Sequence, residues 1–313
     1  METIALPGGK GGYPLLQQTL EIIVFSTLPR AEAALGFINF YRTFFKRYGR
    51  CLGWYKTNVM KVCKKLNCTG LDQVQQMLTD KKALKSYLLG VEQHSGPSAN
   101  QYGLPSFEFF SEEDMSDPQE LIKRSFLRIC LPIQEVAHAD DFVAFVQSLL
   151  AEIDFESGYC GYSYYWNTSD SDAERELQKV NRGWLLRFPG LAYGKPLALI
   201  SFVDKGILGV NWLTLIGFAQ AKQLGGPKAL NQLLGQHIEV AEIANNRGVL
   251  IRAGNEPELG DTNRNQHLSH YHKVGRAVSD LQMPDEWREN FSVVGLTPEE
   301  SQEWYGRFFD GTG

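Results

Sequence analysis

A strand–helix–strand pattern occurs twice in this chain of 313 residues and limits the folds open to it. Each copy begins with a short apolar run, continues with apolar residues at helical spacing, and ends in a second strand-like run. The predicted elements are strands over 20–25, 51–56, 126–132 and 158–166, and helices over 31–48 and 140–153. Strands and helices without a regular βα rhythm predict an α+β fold, with mixed or antiparallel sheets covered by helices. The two copies indicate two similar strand–helix–strand layers packed into one compact unit.

Further elements are predicted from periodicity and from turn residues. Asn245–Asn246 separates the runs 238–243 and 248–253 and so predicts a hairpin. Pro227 fits the first turn of a helix that ends near Leu234. The remaining predictions are helices over 71–78, 81–88, 213–224 and 270–281, strands over 106–110, 197–203 and 206–213, and a loop over 93–102.

The length and the hydrophobic content of 43% are enough for one large or two small domains. We predict a flexible N-terminal arm over residues 1–18 and a main domain over residues 19–285. Within the main domain, 19–125 and 126–285 would form two sub-layers. Residues 286–313 form a C-terminal tail rich in aromatic side chains.

Charge and targeting features narrow the functional classes. The formal net charge is -5, and no stripe of lysine and arginine dominates the sequence. This argues against nucleic acid as a direct partner, because neutralising phosphates needs clustered cations. Neither a signal peptide nor a run of 18 apolar residues is found, so no membrane contact is predicted. Five cysteines without a C-x-x-C pair favour reduced thiols in the cytoplasm.

Residue types that could carry chemistry form no complete set. The histidines within 267–272 are the best metal candidate, but the third points away from the others on a helix, and the nearest acid is Asp261. The glycine-rich segment 8–12 lacks the serine or threonine and the preceding strand of a phosphate loop. Cys130 and Cys160 lie in apolar runs and are predicted to be buried. We therefore predict no catalytic, cofactor-binding or metal-binding residue.

Two acidic segments are candidates for contact with a basic partner. Glu112 and Glu113 are adjacent, and adjacent carboxylates of a regular element point apart, so this pair does not suggest acid–base catalysis. The alternative is that the two segments are a solvated turn and the start of a helix. The candidate residues are Glu112, Glu113, Asp114 and Asp117 in the first segment, and Asp170, Asp172, Glu174 and Glu176 in the second.

A set of motifs, concentrated between 183 and 265, resembles the bacterial type VI immunity family. They are Gly183–Trp184, Arg187–Leu191, Val210–Thr214, Leu224–Gly226 and Arg252–Asn263, with Tyr102–Phe109 upstream. The resemblance covers roughly residues 20–285 and leaves the tail outside. It implies a cytoplasmic protein that neutralises a toxin of the type VI secretion system. Several such toxins are nucleases of the restriction-endonuclease-like class, and the resemblance supplies no catalytic residues.

Two blocks within these motifs are predicted to have structural roles. The first would bury its Trp and Leu at a strand-to-helix junction, where its Asn or Thr caps the helix that follows. The second would form tight turns at its glycines and proline, held by an aspartate that accepts backbone hydrogen bonds. The alternative is that the second block faces the toxin. The residues are Asn211, Trp212, Leu213 and Thr214 in the first block, and Gly254, Pro257, Gly260 and Asp261 in the second.

Three hypotheses follow. The first is stoichiometric inhibition, in which acidic loops cover the basic cleft of a nuclease-type effector through an interface of about 1,600 Å². The second is a metal-dependent hydrolase that reverses toxin damage, with His267, His270 and Asp261 at its centre. The third is a homo-oligomer that associates through the aromatic tail.

Overall fold

The computed structural model describes residues 5–6, 14–67, 70–114, 116 and 121–309. The strands are β1 (Ala5–Leu6), β2 (Leu16–Ser26), β3 (Trp54–Thr57), β4 (Lys64–Lys65), β5 (Leu88–His94), β6 (Ser106–Asp114), β7 (Ile122–Leu131), β8 (Ser157–Tyr165), β9 (Leu213–Gly217), β10 (Ile238–Ile243) and β11 (Gly248–Ala253). The helices are α1 (Arg30–Tyr48), α2 (Gly70–Thr79), α3 (Ala139–Leu150), α4 (Ser171–Arg187), α5 (Pro196–Leu199), α6 (Phe218–Gln223), α7 (Gly226–Leu234), α8 (Ser269–Ala277), α9 (Asp285–Arg288) and α10 (Pro298–Gly306).

The strands join one sheet in the order β10-β11-β9-β8-β2-β7-β6-β5-β3-β4, and β1 pairs with β2. Each neighbouring pair of strands is antiparallel. The central strand, β2, is buried along almost its whole length, because both faces of the sheet are covered there. The α+β fold with an antiparallel sheet, predicted from the sequence, is confirmed.

The first strand–helix–strand segment consists of β2, α1 and β3. Helix α1 places Phe37, Tyr41 and Phe44 on one face, and these rings pack on Phe107 and Phe109 of β6 at centroid distances of 4.7 to 5.5 Å. Such aromatic contacts bury large apolar areas and are favourable in tilted geometries. Helix α1 therefore covers one face of the sheet across β6 and its neighbours.

The second segment consists of β7, α3 and β8, and it joins the same sheet as the first. Strands β2 and β7 are hydrogen-bonded neighbours, β8 pairs with the other side of β2, and β3 lies near the far edge. The two predicted layers are therefore parts of one sheet. The reason is that β2 and β7 pair over Leu20–Ser26 and share one core, which leaves no apolar face to separate two layers.

The predicted helix over 81–88 is wrong, and the predicted loop over 93–102 is confirmed except at residues 93–94, which belong to β5. A 3-10 turn occupies Ala83–Lys85, and β5 then pairs with β6 from Leu88 opposite Glu112 to His94 opposite Ser106. A short segment of mixed polarity has little intrinsic preference, so the open edge of β6 decides its structure.

The strands predicted over 197–203 and 206–213 are wrong, and the helix predicted over 213–224 is confirmed only for α6. Residues 197–203 form α5 and a 3-10 turn (Ile200–Phe202) instead of a strand, and the chain reaches the sheet only at Leu213. Residues 213–217 are not the start of a helix but β9, which fits between β8 and β11 and is buried at all five positions. Burial on both faces removes the alternation that identifies a strand in the sequence.

The C-terminal residues pack against the body of the protein. The Tyr305 hydroxyl accepts from the Met283 amide at 2.9 Å and donates to the Ile207 carbonyl at 2.7 Å. The Phe308 ring lies 5.4 Å from Tyr271. At the other end, residues 16–18 of the predicted arm belong to β2. The other residues of that arm are mostly outside the described ranges, and the domain boundaries stay a prediction.

Candidate functional site

The first acidic segment is the end of a strand, so its interpretation as a turn is wrong for residues 112–114. Glu112 accepts a hydrogen bond from the Tyr87 hydroxyl and lies 4.0 Å from Arg124 on β7. Glu113 accepts from the Arg30 amide at 2.7 Å. Asp114 accepts from Ser116, and these hydrogen bonds lower the pKa of its carboxyl group. Asp117 lies outside the described residues.

A cleft of about 830 Å³ opens beside this strand end. Its walls combine carboxylates with two lysines and apolar groups, from Ala31, Lys81, Leu84, Lys85, Ser86, Tyr87, Glu113, Asp114 and Ser116. Arg30, fully buried behind Ala31, donates to the Ser111 hydroxyl at 2.9 Å and to the Ser86 carbonyl at 2.8 Å. These bonds tie α1 to β6 and to the 83–86 turn, so the cleft wall is built on fixed elements.

The second acidic segment begins α4, and its carboxylates are engaged within the protein. Asp170 is the N-cap and accepts from the amides of Asp172 and Ala173. Glu174 accepts from Trp166 Nε1 at 2.9 Å and from Lys195 Nζ at 2.5 Å. Asp172 pairs with Arg175, and Glu176 pairs with Lys179. This part of α4 therefore presents alternating charge, not a continuous acidic face.

The topology keeps the two acidic segments apart. Strands β6 and β8 run in opposite directions, since three antiparallel steps separate them through β7 and β2. Asp114 therefore lies at the end of the sheet where β8 begins, and residue 170 follows the other end of β8. At about 3.3 Å per residue, the nine residues of β8 separate the segments by about 25 Å along the strands. They do not form one surface patch.

The block at 211–214 leads into a strand, so the predicted helix cap is wrong. Asn211 Oδ1 accepts from the Trp212 amide at 2.7 Å, and Thr214 Oγ1 donates to the Asn211 carbonyl at 3.2 Å. Trp212 has no solvent-exposed surface; it stacks on Phe142 at 6.0 Å and donates to the Gly254 carbonyl at 3.1 Å. These residues close the entrance to β9 and link it to the second block.

The block at 254–261 is a loop held by one carboxylate. Asp261 accepts from the Asn263 amide at 3.1 Å and from Arg187 of α4 at 3.0 and 2.8 Å. The Arg187 bonds are the first cause of a lowered Asp261 pKa. Gly254 and Gly260 have φ of +91° and +66°, a conformation that favours glycine. The Asp261 carboxylate therefore holds the loop against α4.

The histidines at 267–272 do not converge on a ligand. The His272 ring contacts Phe308 at 5.2 Å, and its pKa is lowered by burial and by Arg276 and Arg307. Within the described ranges no three histidine, cysteine, aspartate or glutamate side chains gather as a metal site would require. Burial raises the pKa of the Cys130 thiol to about 12, which keeps it protonated and unreactive at neutral pH.

Sequence reasoning missed a buried charged cluster on the sheet. Arg128 Nε donates to Glu21 at 2.5 Å, its Nη1 lies 3.4 Å from Glu108, and its Nη2 donates to the Gly194 carbonyl at 3.2 Å. Glu21 is fully buried and Arg128 is 3% exposed. The available signal was an acid inside the apolar run of β2 and a base inside β7. Only the register of these strands shows that the two meet.

Comparisons with known proteins identify relatives of this architecture. A Pseudomonas aeruginosa T6SS protein, PA0821, has a similar fold, with a TM-score of 0.76 and 17% identity over 98% of this chain and 87% of that one. A search of curated proteins found no match. No helix in the described ranges is both long and apolar enough to cross a membrane.

The sequence model of the family TsiV, described as type VI immunity for VRR-NUC, matches residues 36–308. The match includes both motif blocks and most of the C-terminal tail, which the resemblance seen in the sequence left outside. Since it spans most of the 313 residues, the chain belongs to this family of type VI immunity proteins.

Proposed function

We propose that this protein binds a cognate type VI effector of the nuclease type and inhibits it by covering its active or substrate-binding surface. The observation that carries the proposal is the family match over residues 36–308. Inhibition would be stoichiometric and take place in the cytoplasm of the producing cell, without turnover by the immunity protein.

The end of β6 supports an acidic contact with such an effector. Asp114 extends from a fixed strand at the edge of the cleft, and its hydrogen bonds from Ser116 lower the pKa of its carboxyl group. A carboxylate held in this way imitates a DNA phosphate and would accelerate association with a basic groove. The acidic segment at the start of α4 supports such a contact less, because its carboxylates form ion pairs with lysines and arginines of this protein.

The other two hypotheses have less support. Association through the aromatic tail has less support because Trp304, Tyr305 and Phe308 are buried in the chain itself, although Trp287 is 37% exposed. A hydrolase centred on His267, His270 and Asp261 is not favoured either, because both Asp261 oxygens accept from Arg187.

Reconstitution with the cognate effector tests the proposal. The full chain should co-elute with the effector at equal stoichiometry, and nuclease activity should fall to zero at a molar ratio of one. The charge reversal D114K should weaken binding about tenfold or more, while E242K, an exposed acid of β10, serves as a control with the same change in charge.

Two results would count against this proposal. If wild type neither binds the effector nor protects cells that express it, inhibition by direct contact is rejected. If substoichiometric amounts inactivate the effector progressively, the protein acts by turnover instead.

A further inference from the structure

The small net charge of this protein conceals a strong segregation of charge along the chain. Between residues 33 and 91 there are eleven lysines and arginines but two aspartates, a formal excess of nine positive charges. Residues 92–313 contain 31 acids and 18 bases, a formal excess of 13 negative charges. The cations are therefore clustered after all, in a segment that the overall composition does not reveal.

The segment includes α1, the β3–β4 hairpin, α2 and the 83–85 turn, and its hairpin lies at the edge of the sheet, where β4 is the terminal strand. Lys81 and Lys85 line the cleft beside Asp114 instead. Eight of the segment's cations are exposed and form no ion pair with any carboxylate that the structure describes: Lys46, Arg50, Lys61, Lys64, Lys65, Lys81, Lys82 and Lys85. Elsewhere most exposed bases pair with an acid, as Arg175 and Lys179 do.

The β3–β4 hairpin (residues 54–65) is held firmly in place. Asn58 bridges to β5: its amide donates to the Gly90 carbonyl at 3.1 Å, and its Oδ1 accepts from the Gly90 amide at 3.1 Å. The Met60 amide closes a turn onto the Thr57 carbonyl at 3.0 Å. Cys63 is buried, 3.5 Å from the Tyr102 hydroxyl. A loop fixed before binding loses little entropy when a partner docks.

The tip of this hairpin exposes aliphatic side chains between its lysines. Val59 is 84% exposed and Val62 is 62% exposed, on either side of Lys61. Behind the tip, a groove of about 630 Å³ separates the hairpin from α2. It is lined by Tyr55, Thr57 and Met60 on the hairpin and by Gln73, Gln76, Met77, Thr79 and Asp80 on the α2 side.

The combination of side chains favours a protein partner over a nucleic acid. Exposed valines and a groove with two methionines suit apolar side chains of another protein, since Met adapts to irregular shapes. A site for single-stranded nucleic acid would instead present exposed aromatic rings on which the bases stack. The surrounding unpaired lysines require that the partner surface be acidic.

We infer that the β3–β4 hairpin with the adjoining groove is a second effector-binding surface, which docks an acidic surface of the effector with an apolar centre. This inference rests on the proposed function and adds a second contact to it. A nuclease carries both charge signs, because it binds phosphates with cations and holds its divalent ions with carboxylates. The acidic end of β6 would contact the cationic, phosphate-binding surface of the nuclease. The hairpin would contact an acidic surface.

Binding kinetics of the full chain with the nuclease domain of the cognate effector test this. The double variant K61E/K64E should weaken affinity at least tenfold, mainly through slower association, and should reduce its salt dependence. V59S/V62S should weaken affinity with faster dissociation. Both variants should unfold at the wild-type temperature, because these side chains are exposed and unpaired.

The matched control is K222E/K228E, which makes the same charge change on the exposed surfaces of α6 and α7, packed near β9–β11. It should bind within twofold of wild type. If K61E/K64E also binds within twofold while wild type inhibits the effector, the hairpin inference is wrong and the proposed function stands. If wild type fails to bind the effector, the hairpin inference and the proposed function are both rejected. If wild type binds a 20-base-pair DNA duplex and K61E/K64E does not, the surface is a nucleic-acid site and the inference is overturned.

Discussion

Replacing Arg128 with methionine should destabilise this protein more than almost any other change to a charged residue. Arg128 is 3% exposed and provides the ion-pair partner of Glu21, which has no solvent-exposed surface. Methionine fills much of the same volume but leaves Glu21 as a buried anion without a cation. An unpaired charge in a site without solvent contact is strongly unfavourable.

The magnitude follows from the geometry of the pair. With charge centres about 4 Å apart and an effective dielectric constant of about 20, the lost attraction is about 4 kcal/mol. Removing one partner of a buried ion pair destabilises proteins by about 3–5 kcal/mol. That is a large part of the total stability of a domain, which is about 5–15 kcal/mol. The double variant E21Q/R128M should recover the part of the loss that comes from Glu21, because residue 21 then carries no charge, whereas Glu108, 3.4 Å from Arg128, loses its cation in both variants.

Urea unfolding followed by circular dichroism measures these differences. R128M should lose about 3–5 kcal/mol of unfolding free energy at pH 7. A loss below about 1 kcal/mol would contradict the argument. So would a double variant as unstable as the sum of the two single variants, because the two sites would then be uncoupled.

Three further predictions concern stability. Burial lowers the pKa of His94 to about 4 from an ordinary 6.5, so the stability that neutral His94 contributes is present above pH 6.5 and is lost as the pH falls toward 4. The variant H94N keeps an acceptor for the Gly96 amide. In urea titrations at pH 4.5 and 7.5, H94N should remove about 2–3 kcal/mol of this acid dependence. Burial raises the pKa of Glu108 to about 7, despite the attraction of Arg128, so stability is lost as the pH rises from 4.5 through 7. The unfolding free energy of E108Q should exceed that of wild type by about 1–3 kcal/mol at pH 8 and match it at pH 4.5. Equal stability of the two proteins at pH 8 would refute this assignment. Thr297 forms a capping box with Glu300 at the start of α10; T297A should lower the unfolding free energy by about 1 kcal/mol, whereas T79A, an exposed threonine at the end of α2, should change it by less than about 0.5 kcal/mol.

Much of the candidate site could not be located from the sequence. The acidic segments were visible in composition, but whether their charges are free depends on partners such as Lys195 and Arg175, which the fold brings to them. The basic hairpin was hidden because the net charge of the whole chain sums the positive segment 33–91 with the negative segment 92–313. Its lysines belong to one surface only because β3 and β4 form one edge of the sheet next to α2.

What the sequence determined by itself was the local structure of strongly patterned segments. Helices α1 and α3, strands β2, β7 and β8, and the β10–β11 hairpin around Asn245 all follow from apolar periodicity and turn residues. The family motifs likewise identified the type VI immunity relationship, which the match over 36–308 confirms.

The tertiary structure alone decided β5, β9 and the pairing of Glu21 with Arg128. Residues 88–94 and 213–217 become strands because open edges of β6 and β8 accept their backbone hydrogen bonds. Glu21 and Arg128 are 107 positions apart and meet through the register of β2 and β7. Contacts of this kind depend on which backbones lie side by side, and the pattern of any single segment does not contain that information.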